Sequence, residues 1–210
     1  MSKEIVAFMP IRLNSQRIKH KSIIDIEGRP MFCWSLQTLD SLDIPVYVYS
    51  NNIDILKEMV DFRYKNVIFL NRPEYLDNHE TKGIDIYKEF ASQVVADNYL
   101  LVHCTSPFVE KSSYVKCIDK VLNQGYDSSC TVEKKQTFCW YKDSPLNFSI
   151  PRQKTQEISP IYVETSAAYC YNKQVLENDS RTGLNNAFVI TTGFENLDID
   201  DKEDLKILKK

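Results

Sequence analysis

The stretch Ile5-Val6-Ala7-Phe8-Met9-Pro10-Ile11-Arg12-Leu13-Asn14-Ser15-Gln16-Arg17-Ile18-Lys19-His20-Lys21-Ser22 decides the fold. It opens as a short apolar strand, Ile5–Pro10, and breaks into a polar loop with four cations, Arg12, Arg17, Lys19 and Lys21, in ten residues. The same alternation of apolar runs and helical patterns continues to about residue 130. Met31–Leu42 reads as a helix and Val46–Ser50 as a strand. Ile53, Leu56 and Val60 share a helix face behind Asn51 or Asn52 as cap. Val67–Leu70 is a strand, Arg72–Lys82 a polar loop, and Gly83–Asp97 a helix with Ile84, Tyr87, Ala91 and Val94 at helical spacing. Tyr99–His103 is a strand, Tyr114, Cys117, Ile118 and Val121 mark a helix stopped by Gly125, and Asp127–Val132 is a further strand. Such alternation predicts an α/β domain: a mainly parallel sheet with right-handed crossovers and helices on both faces. Ligands in these sheets bind at the carboxyl ends of strands, where the strand order reverses. The loops after Pro10, Arg72 and His103 are therefore the candidate site.

Composition narrows the function. The 210 residues make a single domain, 1–210, and 43% hydrophobic with 26% charged residues is ordinary for a soluble protein. A net charge of −3 carries no polyanion footprint, which argues against nucleic acid as a partner. Glycine is scarce, with five residues at 28, 83, 125, 183 and 193. None are spaced to build the glycine-rich phosphate cradles of dinucleotide-binding or Walker-type proteins. The six cysteines show no metal-ligand spacing and read as reduced, buried thiols. The N-terminus lacks the shape of a signal peptide, and no apolar run reaches the roughly 18 residues of a membrane span. The expectation is a cytoplasmic protein with no membrane partner.

From about Gln136 the pattern changes. Phe138, Trp140 and Tyr141 lead into a loop-rich, proline-marked segment to Tyr162, followed by strand-like Ala167–Tyr171. An arm against a partner subunit, a lid and an ordinary excursion are all compatible with it. Asn186–Thr191 is a further strand, and Leu197-Asp198-Ile199-Asp200 enters a final helix from Asp201.

Three groups of residues can carry chemistry. Arginine offers phosphate a planar fork and lysine a point charge, so the loop after the first strand suits a triphosphate. Standing alone it would be a solvated basic loop; its place at a strand's ligand end favours the site. Asp198 and Asp200, set on a strand end, would point the same way about 7 Å apart, a geometry that suits Mg²⁺. An acidic helix start explains Asp201 and Glu203 and is an equal reading for the first pair. Thr105-Ser106-Pro107 reads as a turn and cap, and His103 as a histidine near the core. No Ser/His/Asp or Cys/His set stands out, which argues against covalent hydrolysis.

In order, these pieces resemble the acylneuraminate cytidylyltransferase family, which comprises CMP-sialic acid synthetases and related octulosonate enzymes. The opening signature is Pro10 to Ser22; Arg72-Pro73-Glu74-Tyr75-Leu76-Asp77 and Val102-His103-Cys104-Thr105-Ser106-Pro107-Phe108 echo two further motifs. Arg152-Gln153, Thr165-Ser166-Ala167-Ala168-Tyr169 and Asp198-Ile199-Asp200-Asp201-Lys202-Glu203-Asp204-Leu205 complete the likeness, which spans nearly the whole chain. The resemblance implies a Rossmann-like domain and an enzyme that transfers CMP from CTP to an acidic sugar, of nonulosonate or octulosonate type, with release of pyrophosphate. It implies a homodimer formed through a protruding arm, residues 136–187, and a role in CMP-sugar and cell-surface polysaccharide biosynthesis. By the same likeness Ile11, Arg12, Asn14, Ser15, Lys21, Ser22 and Arg72 bind the nucleotide, and Arg12, Lys21 and Asp200 are catalytic. Asp198 and Asp200 would hold Mg²⁺, and His103, Thr105, Arg152, Tyr169 and Phe188 would contact the acceptor.

The departures bear on the acceptor. Gln16 stands at the family's lysine, where Arg17 is next in line for the phosphate, and Ser22 stands at its asparagine. Asn14 occupies a position where relatives often carry glycine and is a residue that tolerates left-handed backbone. His103, Val109 and Val163-Glu164 replace polar or basic residues, so an acceptor carboxylate would meet fewer cations. These changes imply an acceptor other than ordinary N-acetylneuraminate; a phosphonate whose own oxygen attacks CTP is one alternative. A nucleotide-sugar glycosyltransferase using Asp198-x-Asp200 as its metal motif is another, though in those enzymes the motif usually falls mid-chain. A module that binds CTP without turning it over is a third.

Overall fold

The computed structural model describes residues 4–15, 17–60 and 62–207, so Gln16 lies outside the described residues. Seven strands form one sheet: β1 (Ile5–Pro10), β2 (Val46–Ser50), β3 (Val67–Asn71), β4 (Asn98–Val102), β5 (Ser128–Lys135), β6 (Ile161–Asn172) and β7 (Asn186–Thr191). Their spatial order is β7-β5-β6-β4-β1-β2-β3. β1 pairs in parallel with β2 and β4, β2 with β3, and β5 with β7. Only β6 among them runs antiparallel, between β4 and β5.

The apolar first strand is explained by its two neighbours. Its side chains alternate between the two faces, and both faces are covered. Ala7 and Met9 join the core beneath α1 (Met31–Asp40), α2 (Ile53–Met59) and α4 (Lys111–Leu122). Val6 and Phe8 join the core beneath α3 (Gly83–Gln93) and α5 (Lys173–Glu177), where Phe8 stacks on Phe90 with ring centres 4.2 Å apart. The sheet is thus Rossmann-like, with helices on both faces. The strand order reverses between β1 and β4, which sets the ligand cleft at the carboxyl ends of those two strands.

A third, smaller apolar cluster positions the site. Ile18 and Ile26 pack with Met31 and with Ile199, and Trp34, Phe108 and Leu197 close around them. This cluster clips the loop after β1 to the C-terminal segment, although some 180 residues separate them in sequence.

Several expectations are corrected. Asp198 and Asp200 lie on an irregular segment rather than a strand, and the final helix, α6, is the short Asp204–Ile207. The segment is held extended because Ile199 donates its N–H to the Thr105 carbonyl at 2.8 Å and buries its side chain. Asn14 is not among the left-handed residues; in that loop His20 takes the conformation, with φ 54°. The stretch 136–187 also divides. Residues 136–160 carry a two-strand hairpin, Trp140–Tyr141 with Ser144–Pro145, and a short 3-10 turn, Thr155–Glu157, outside the sheet, while β6 and α5 belong to the sheet and its cover. The reason is pairing: Tyr169, Cys170 and Tyr171 bond to β5 on one side and β4 on the other. Five of the cysteines are buried and Cys139 is partly so; all six are free thiols.

Candidate active site

The side of the cleft where the sequence leads one to expect the nucleotide is organised by one carboxylate. Arg72, just past β3, is fully buried; its two terminal nitrogens are paired, while its Nε has no hydrogen-bond partner. It donates to the Ile11 carbonyl at 3.1 Å, to Asn51 Oδ1 at 3.3 Å and to Asp77 Oδ1 at 2.7 Å. Asn51 Nδ2 donates to the second Asp77 oxygen at 3.0 Å, and Asn14 Nδ2 to the Asp77 carbonyl at 2.9 Å. Burial lowers the Arg72 pKa and the Asp77 charge opposes it. Arg12 donates to the Leu76 carbonyl at 2.9 Å and lies 4.0 Å from Asp77, and its buried Nε has no hydrogen-bond partner. Ile11 contributes backbone only: its N–H bonds to the Tyr49 carbonyl and its side chain is buried.

The phosphate-binding candidates face the Asp-x-Asp segment. Lys21 Nζ is 2.7 Å from Asp200 Oδ1, and Arg17 lies 2.9 Å from Asp200 Oδ2. Partial burial works to raise the Asp200 pKa, but Lys21 and Arg17 outweigh it and hold the group below its ordinary value. Asp198 behaves oppositely. Burial raises its pKa, Thr105 opposes that, and the Asp200 charge adds to it. Its Oδ1 is buried without a hydrogen-bond partner. Ser22 is buried and donates to the Arg12 carbonyl at 3.3 Å. Two adjoining cavities result. One of about 270 Å³ is lined by Arg12, Lys21, Arg72, Tyr87, His103 and Thr105 among others. One of about 280 Å³ is lined by Arg12, Asn14, Ser15, Arg17, Lys21 and His79 among others.

Among the described residues no three His, Cys, Asp or Glu side chains converge as a metal cage. The donor set nevertheless fits Mg²⁺, which takes one or two carboxylates and completes its shell with phosphate oxygens and water. A buried, unpartnered carboxylate oxygen on Asp198, beside Asp200, is hard-oxygen chemistry of that kind.

The side where the sequence leads one to expect the acceptor is built on a bulge. The pairing of β6 with β5 shifts between Glu164 and Tyr169, and Ser166 takes a left-handed backbone with φ 58°. That turn aims the Ser166 carbonyl at His103 Nδ1, 2.6 Å away, while Nε2 lies 3.1 Å from the Tyr87 hydroxyl. A carbonyl can only accept, so Nδ1 carries the proton and Nε2 accepts from Tyr87. Burial holds the His103 pKa down to about 4 against the Ser166 carbonyl, and the charges of Arg181 and Lys21 add to the burial. Gly83, at the start of α3, leaves room here: a Cβ would sit 2.9 Å from the Tyr87 hydroxyl.

His103 and Thr105 therefore line the cavity, and Tyr169 stands behind, its ring centre 6.1 Å from that of His103. Arg152 and Phe188 are not brought to the cavity of their own chain. Arg152 packs over Phe138 and Phe148 in the 136–160 segment, and Phe188 packs on Tyr162, ring centres 5.2 Å apart. Sequence reasoning missed Asp77, Asn51, Tyr87 and Arg181. Asp77 stood inside a quoted motif, where an acid five residues after an arginine was a usable signal; Arg181 carried none.

Comparison with known proteins agrees with this architecture. Residues 6–192 match the family model described as cytidylyltransferase. N-acylneuraminate cytidylyltransferase A of Danio rerio is 23% identical over 188 residues, covering 84% of this chain and 43% of that protein. The chain thus spans less than half the length of this curated relative. Two solved structures share the fold. CMP:2-keto-3-deoxy-manno-octonic acid synthetase complexed with CTP has a TM-score of 0.68 and 18% identity, covering 98% of this chain and 97% of its own. The 4-diphosphocytidyl-2C-methyl-D-erythritol synthase of Anaerococcus prevotii has a TM-score of 0.70 and 13% identity, covering 99% and 95%. With the family model matched over most of its length, this chain belongs to the cytidylyltransferase family of nucleotidyltransferases.

Proposed function

We propose that this chain transfers CMP from CTP to an acidic sugar and releases pyrophosphate. The observation that carries the reading is the cavity that Arg12, Arg17 and Lys21 line at the reversal point of the sheet, with Arg17 and Lys21 paired to Asp200. An acceptor oxygen attacks the α-phosphorus, the bond from that phosphorus to the bridging oxygen breaks, and the acceptor proton leaves to water. Such a transfer needs positioning and charge neutralisation, not a covalent partner. Arg12, Ser15 and Lys21 are the phosphate-binding residues in this reading, and Arg72 holds the Ile11 backbone and the Asp77 loop around the base. Asp198 and Asp200 would hold Mg²⁺, which when bound neutralises phosphate charge. Lys21 and Arg17, which pair with Asp200, are the cations that would meet the triphosphate.

The exposed Trp140, Tyr141, Leu146 and Ile150 of segment 136–160 support its role as a dimer arm, with Arg152 and Phe188 serving the neighbour's acceptor site. No helix among the described residues is long and apolar enough to cross a membrane; a cytoplasmic site of action is part of the proposal. A role in polysaccharide assembly follows if the acceptor is a surface-polymer acid. The test is pyrophosphate release with CTP, Mg²⁺ and a panel of eight- and nine-carbon 2-keto acids, with a phosphonate as competitor. Release dependent on one of the acids supports the reading. Release dependent only on the phosphonate replaces the acceptor class, and none with any acceptor contradicts transfer.

A further inference from the structure

Arg181 follows α5, far in sequence from every motif of the cleft, yet its guanidinium lies on the acceptor side. Its Cζ stands 4.1 Å from the centre of the Tyr169 ring, and one of its nitrogens is 3.8 Å from Glu164 Oε2. The same Glu164 oxygen accepts the Tyr169 hydroxyl at 2.7 Å. The cation is thus seated by an aromatic face and steadied by a loose ion pair, while 34% of the side chain remains open. Tyr87 and His103, both on the cavity wall, lie within reach of its charge. A planar fork held in place beside a ligand cavity, with donors left over, is suited to a carboxylate.

We propose that Arg181 binds the carboxylate of the acceptor and so selects acids as substrates of this enzyme. The inference rests on the CMP-transfer reading above and specifies its acceptor half. It resolves a difficulty raised by the sequence. Val109 is buried in the core rather than on the cavity wall, and beside Tyr169 the loop after α5 supplies the cation that Val163-Glu164 do not. Glu164, bonded to Tyr169, is a positioning residue: it fixes the ring on which Arg181 lies. At 3.8 Å its pull on the guanidinium is weak enough for an incoming carboxylate to take over a donor.

The test uses the acids of the panel above, 2-keto-3-deoxy-manno-octonic acid among them, each as free acid and as methyl ester. Pyrophosphate release is measured with CTP for the full chain and for Arg181→Gln and Arg181→Lys. With the original chain, kcat/KM for an accepted acid should exceed that for its ester by at least about tenfold, the scale of a charge-assisted hydrogen bond. Arg181→Gln should erase most of that preference by raising the acid's KM, with the KM for CTP changed less than about twofold, and Arg181→Lys should keep part of it. An acid-over-ester preference that survives in Arg181→Gln overturns the assignment. So does an equal rise in both KM values, the mark of a purely structural role. If the original chain uses none of the panel's acids, the acid-acceptor reading itself fails and the assignment falls with it, an outcome visible before any variant is made.

Discussion

On the nucleotide side of the cleft, Arg12, Asn14 and Arg72 are all tied to the loop that ends in Asp77. On the proposed acceptor side, His103 is held by the Tyr87 hydroxyl and the Ser166 carbonyl, and Tyr169 by the Glu164 carboxylate. The first region is an ionic web around a single carboxylate, closed on backbone carbonyls. The second is an aromatic wall with one loose ion pair, Arg181 and Glu164, at its edge. The contrast reflects the ligands each side is proposed to meet. A triphosphate brings several negative charges to any acceptor chemistry, so the first side is built around charge and fixed by local motifs. Acceptors differ, so the second is shaped by a bulge and by residues from distant loops.

The largest effect should come from the junction of the two halves. Asp200→Ala should lower turnover by on the order of 10³-fold while leaving the melting temperature within a few degrees. Asp200 is 38% exposed, and its pair with the 66%-exposed Arg17 adds little stability in water. Activity within tenfold of the original chain would remove Asp200 from the metal and phosphate chemistry.

Next comes the web. Arg72→Met strips Asp77 of its buried partner and should cost about 3–4 kcal/mol in denaturant unfolding, because it leaves a carboxylate uncompensated. A loss below about 1 kcal/mol would show that the web is dispensable and that the two sides are less different than described.

The acceptor side predicts a smaller, pH-dependent effect. His103 stays neutral in the folded chain down to about 4, whereas an unfolded histidine titrates near 6.5. The unfolded state therefore binds more protons between these values, and stability falls as pH drops from 6.5 to 4. The loss is on the order of 2–3 kcal/mol, and His103→Gln should flatten this part of the stability–pH curve. An unchanged slope in His103→Gln would place the titration elsewhere.

The two regions also differ in how far the sequence reveals them. The apolar Ile5–Pro10 run, the cationic loop behind it and the strand–helix alternation are local patterns, and the sheet and its cleft follow from them. Arg12, Ser15, Lys21 and Arg72 line the cleft because they sit at the ends of β1 and β3, or in the loop that follows β1. Where local pattern fails, a long-range contact decides. The extended Asp198–Asp200 segment owes its shape to the Thr105 carbonyl and the Ile199 cluster, neither visible in Asp-x-Asp spacing. Asn14 spends its side chain on the Asp77 loop, and the left-handed turn falls to His20. The bulge at Ser166 and the approach of Arg181 to Tyr169 depend on an antiparallel strand inserted between two parallel ones, a topology that hydrophobic periodicity does not encode.

The measurement that tests the central claim most directly needs no acceptor. The claim is that the charged half of the cleft is a CTP site. Thermal melting of the chain in Mg²⁺ with CTP, UTP or ATP at equal concentration should show stabilisation by CTP well above the other two, and Lys21→Ala should diminish it. Equal shifts with all three nucleotides, or none with CTP, would contradict the account.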